Sequence, residues 1–168
     1  MRQKRCRAGA ITDHLTGLHN ARYFEERLCR EIARAHRYDR RLGLLVFDLE
    51  QGGGPDLEAA GNRIRTAMRA TDIASHLGEG RFAVILPEST TDDADQLYHR
   101  LRGAISSRPV VHAGRLFVSA GIAELVAGDD PTAFFERADE ALYRAKELGK
   151  GQVVEASRLE AKPEAESA

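Results

Sequence analysis

The run Leu42-Gly43-Leu44-Leu45-Val46-Phe47-Asp48-Leu49 constrains the fold more than any other segment. An almost unbroken apolar stretch of this length suits a central strand buried on both sides, so the chain must supply a layer of structure against each face. Helical patterns are available to do so. Over 21–38 the apolar residues Phe24, Leu28, Ile32 and Ala35 recur at helical spacing, and Asn20 is placed to cap the first turn. Further helices are expected over 56–70, 92–106 and 131–148, the last with Pro131 in its first turn. Residues 75–87 predict a hairpin: a short strand, a Gly-rich turn and the apolar run Phe82-Ala83-Val84-Ile85-Leu86. Residues 110–112 and 116–125 read as a strand pair joined by Gly114, and 152–154 as a strand that closes the sheet. The order is a helix followed by βαββαββ or close to it, an α+β fold with helices packed on a mainly antiparallel sheet.

A chain of 168 residues with 42% hydrophobic content is the size of one domain with one full core. Its formal net charge of -1, without a long single-sign run, gives no general attraction to nucleic acid or to an anionic membrane surface. No stretch approaches the roughly 18 uninterrupted apolar residues of a membrane span. Cys6 and Cys29 have neither close spacing nor a His cluster, which predicts free thiols in a reducing cytoplasm rather than a disulfide or a zinc site. Residues 1–12 read as a basic tail or the stump of a linker, 13–155 as the folded domain, and 156–168, small, polar and interrupted by Pro163, as a disordered tail.

Three motifs stand in order along the domain. They are Asp13-His14-Leu15-Thr16-Gly17-Leu18-His19-Asn20, the turn Gly78-Glu79-Gly80-Arg81-Phe82, and Ala138-Asp139-Glu140-Ala141-Leu142-Tyr143-Arg144-Ala145-Lys146. With this order and spacing the chain resembles a GGDEF domain of the diguanylate cyclase family. The resemblance covers roughly 13–154 and implies the cyclase-like fold, with helices flanking a central sheet.

Against the family pattern the turn is degenerate. Joining two nucleoside triphosphates needs divalent metal held by carboxylates, because the reacting oxygens carry charge that must be neutralised and aligned. The resemblance implies that these carboxylates come from the first strand, where Asp48 matches, and from the turn. There Gly80 replaces the acidic third residue and Arg81 the glutamate at the fourth. Glu79 is a poor substitute, since a shift of one position in a hairpin carries a side chain to the other face. Arg81 is expected either to pair with Asp48 or to point into solvent. The long segment after the strand aspartate, which in the family reads guanine, is reduced to Gln51-Gly52-Gly53-Gly54-Pro55-Asp56, read as a shortened connecting loop. No catalytic residue, metal or cofactor is therefore expected.

A different feature persists. Arg69-Ala70-Thr71-Asp72 is an R-x-x-D whose Asp72 stands six residues before Gly78. The resemblance implies that this is the inhibitory site of the family, where the arginine grips a phosphate of cyclic di-GMP and the aspartate accepts from its guanine. Arg100 matches an arginine that completes the dimeric form of that site. His76 stands where an arginine often precedes the turn, and an imidazole there would make phosphate affinity depend on pH. Lys146 is expected to interact with the last carbonyls of its helix.

The function implied is an inactive GGDEF domain that binds cyclic di-GMP through Arg69, Asp72 and Arg100 and couples binding to homodimerisation or to docking of a protein partner. Two alternatives stay open: an interaction module that needs no ligand, and residual GTP binding or cyclase activity built on Asp48, Glu50 and Glu79.

Overall fold

The computed structural model describes residues 10–50, 56–106 and 116–157. The expected strand at 110–112 and the shortened loop at 51–55 lie outside the described residues. In chain order the elements are α1 (Ala21–Tyr38), β1 (Leu42–Glu50), α2 (Leu57–Ala67), β2 (Ile73–Gly78), β3 (Arg81–Pro87), α3 (Thr91–Ser106), β4 (Phe117–Glu124), α4 (Pro131–Glu147) and β5 (Val153–Glu155). Among the described residues no helix is long and apolar enough to cross a membrane.

Local chemistry sets the helix ends. The side chains of Asn20, Asp56 and Asp130 accept the backbone N–H groups of Tyr23, Ala59 and Ala133 and so cap α1, α2 and α4. The second helix is shorter than its apolar pattern suggests. It stops at Ala67 because Met68 turns extended, and residues 69–72 form a turn closed by the Asp72 N–H on the Arg69 carbonyl.

The strands form one mixed sheet in the order β2-β3-β1-β4-β5. Neighbours run antiparallel except for the parallel pair β4 and β5. The run that forms β1 lies in the middle, buried from Leu42 to Leu49. Its side chains alternate between two cores. Leu45, Phe47 and Leu49 pack with Ile64, Leu97, Tyr98 and Leu101 of α2 and α3. Leu44 and Val46 pack with Leu28 and Ile32 of α1 and Phe134, Ala138 and Leu142 of α4. The same alternation sends Asp48 and Glu50, at the end of β1, toward the layer of α1 and α4.

Candidate functional site

The register of β1 against β3 places Asp48 directly opposite Arg81. The two meet in a forked contact, with Arg81 Nε 2.9 Å from Asp48 Oδ1 and Nη2 3.3 Å from Oδ2. Of the two arrangements expected for Arg81, the ion pair is the one observed. The guanidinium reaches further than the hairpin, because Nη1 also donates to Asp139 Oδ1 of α4 at 3.1 Å.

Lys146, from the last turn of α4, pairs with Asp48 Oδ2 and with Glu50 Oε1, the latter at 3.2 Å. This corrects the expected role of Lys146 as a cation for its own helix terminus: α4 packs across β1 at an angle that aims the ammonium at the strand carboxylates instead. Burial alone would raise the Asp48 carboxyl, but the hydrogen bonds and charges of Arg81 and Lys146 outweigh it and hold the group below its ordinary value. Arg81 is raised chiefly by its bond to Asp48, while Lys146, which burial opposes, is raised by Asp48 and Glu50.

These residues border a cavity of about 580 Å³ together with Gly78, Glu79 and Gly80. Glu79 lies at its rim in the left-handed region, with φ of 48°, and is exposed. Among the described residues nothing ties its carboxylate to Asp48. Gly80 is confined: a Cβ there would stand 2.6 Å from the Leu49 carbonyl oxygen, whose own N–H donates to Gly80 O. The divalent metal implied by the family does not fit this donor set. Both oxygens of Asp48 are taken by cations, the third turn position has no room for a side chain without moving β1, and the fourth is a guanidinium. Among the described residues no three His, Cys, Asp or Glu side chains gather as a metal-binding group.

His76 takes a different place from the one expected. Its ring is buried beside Phe82, with Nδ1 3.0 Å from Asp13 Oδ2 and Nε2 2.6 Å from the Glu79 carbonyl oxygen. Asp13 also accepts from Thr16 N–H and Oγ. His76 is thus a tie between the N-terminal turn and the hairpin, and it does not line the cavity beside Arg69.

That second cavity, about 380 Å³, lies between the N-terminal turn, the end of α2 and β2. Arg69 and Asp72 line it with Arg65, His19, Leu18 and Met68. Asp72 also has a structural duty, its Oδ2 accepting the Arg69 backbone N–H at 2.9 Å. The Arg69 side chain is exposed, and its charge acts on the Asp93 carboxylate of α3. Arg100 is exposed on α3 and is not among the residues lining this cavity.

Asp139 and Arg65 are the residues that sequence reasoning passed over. Of the two, Arg65 leaves a local signal, standing four residues before Arg69.

Comparison with known proteins agrees with this geometry. A family model described as diguanylate cyclase, GGDEF domain, matches residues 10–52 and 50–152. The diguanylate cyclase DgcP of Pseudomonas aeruginosa is 35% identical over 161 residues, an alignment that takes in 88% of this chain and 24% of that protein. The response regulator PleD of Caulobacter vibrioides is 32% identical, over 86% of this chain and 36% of that protein. The chain thus spans about a quarter to a third of the length of these relatives. The GGDEF domain of DgcB from Caulobacter crescentus, solved in complex with c-di-GMP, superposes with a TM-score of 0.82 at 27% identity, covering 90% of this chain and 98% of that one. On the family match, these relatives and the shared fold, the chain belongs to the GGDEF domain family.

Proposed function

We propose that this chain is a GGDEF domain without cyclase activity, folded over 13–155, that serves as a cytoplasmic receptor for cyclic di-GMP, bound at Arg69, Asp72 and Arg100, with binding coupled to homodimerisation or to docking of a protein partner. The observation that carries the first half is the engagement of Asp48 by Arg81 and Lys146. Two cations hold the carboxylate that a metal would need, and a cation cannot be added to that set without expelling them. The second half is supported by the contrast at the other cavity, where an exposed guanidinium has no carboxylate bound to it. An arginine so placed is suited to a phosphate, which its planar fork can grip through two donors.

Calorimetric titration with cyclic di-GMP, beside an R69A variant, tests the receptor. Binding at micromolar or tighter Kd, lost in R69A with the fold intact by circular dichroism, is the expected outcome. Incubation with GTP and magnesium or manganese is expected to yield no cyclic dinucleotide. Product formation would refute inactivity, and absence of binding by the unaltered protein would leave the fold as a docking module for a protein partner.

A further inference from the structure

Among the described residues Arg22, Arg27, Arg34, Arg40, Arg41, Arg81, Arg137 and Arg144 each pair with an Asp or Glu. Arg65 and Arg69 line the same cavity and are not matched in this way. The carboxylate of the same cavity, Asp72, is engaged by a backbone N–H. Arg65 instead donates to two neutral oxygens, Asn62 Oδ1 at 3.2 Å and the Thr16 carbonyl at 3.4 Å, which leaves its charge in place and most of its five N–H donors unused. The guanidinium lies against the backbone of Gly17, where a Cβ would stand 2.6 Å from Arg65 Nη2 and where φ of 72° is one that side chains rarely adopt. His19 adds no cation at neutral pH, because burial holds its ring below the ordinary imidazole value. The cavity lining therefore carries two guanidinium charges against one carboxylate, with Asp93 of α3 acting on Arg69 from outside the lining, while Leu18 and Met68 supply apolar wall.

We infer that Arg65 is a second phosphate-binding arginine of this cavity, so that one phosphodiester of a cyclic dinucleotide is held between Arg65 and Arg69. The inference rests on the receptor role proposed above. One phosphodiester brings one negative charge to the two guanidiniums. The long bond to Thr16 is the contact that Arg65 gives up or shares on binding.

The test is titration of the full chain with cyclic di-GMP at low and at raised salt, comparing the unaltered protein with R69A, R65Q and R65K. R65Q is expected to bind about tenfold more weakly, the scale of one lost charge-assisted contact, and with a shallower dependence on salt. R65K, which keeps the charge but not the fork, is expected to fall between. A structural role for Arg65 would leave the salt dependence unchanged. If R69A abolishes binding while R65Q matches the unaltered protein, Arg65 is excluded and the receptor stands. If the unaltered protein does not bind, both fall together.

Discussion

Asp48 carries a buried charge that two neighbours on different elements keep ionised, and its contribution to stability has a definite sign with pH. Its carboxyl titrates below the ordinary 3.8, since Arg81 and Lys146 outweigh the opposing effect of burial. A group depressed in this way stabilises the fold fully above its unfolded value and loses that contribution as pH falls through the lower folded value. Asp48→Asn is therefore expected to lower the stability by about 1–2 kcal/mol at pH 7, a figure discounted because Arg81 is part-exposed. The gap between the two proteins should hold to about pH 5 and close below 3.8. Urea denaturation at a series of pH values measures it, and a gap that widened in acid would contradict the ion-pair arrangement. The Asp48 to Arg81 half of this network was legible as one of two alternatives, because the family resemblance puts both residues at positions of one site. Asp139 and Lys146 were not, for they arrive on α4, and no periodicity in the sequence reports where a helix crosses a sheet.

Helix α4 sits on β4 so closely that one strand position admits only glycine. A Cβ at Gly121 would lie 2.0 Å from the Ala138 carbonyl oxygen and 2.3 Å from Leu142 N, backbone atoms that move only if the helix does. Gly121→Ala is expected to cost about 3 kcal/mol or more, the upper end of overpacking effects, and to loosen the Asp139 and Lys146 contacts with it. Gly103→Ala provides the contrast. A Cβ there meets nothing within 4 Å on helix α3, so the change should stabilise by roughly 0.5–1 kcal/mol. Denaturant midpoints of the two variants decide the matter, and equal effects would mean that the α4 to β4 spacing is not the constraint. Apolar periodicity made most elements readable, with α1 and β1 falling where 21–38 and 42–49 place them. The end of α2 was hidden for a physical reason. Nothing in Met68-Arg69-Ala70 breaks a helix, and the turn that does so is made by Asp72 reaching back to the Arg69 N–H. The motif read from sequence as a ligand site is in the first instance a device for turning the chain into β2.

For the molecule as a whole the proposed receptor has a second arginine to place. Arg69 and Asp72 share a cavity of about 380 Å³, whereas Arg100 stands exposed on α3 outside it. A second chain can supply that arginine, and because cyclic di-GMP is itself two-fold symmetric, an isologous pair can present equivalent residues to both of its halves. Ligand and dimer then stabilise one another by mass action. Sedimentation velocity is expected to show a monomer without ligand and a species of twice the mass with it. The thermal midpoint should rise by about 5–10 °C when ligand stands near a hundred times Kd, from roughly 2.7 kcal/mol of linkage at a few degrees per kcal/mol. Arg100→Ala separates the two events. It is expected to leave the Arg69 cavity able to bind, with affinity reduced several-fold, while the heavier species disappears. A dimer that forms equally without ligand, or that survives Arg100→Ala at full strength, would assign the association to another face of the fold and leave the cavity a monomeric receptor.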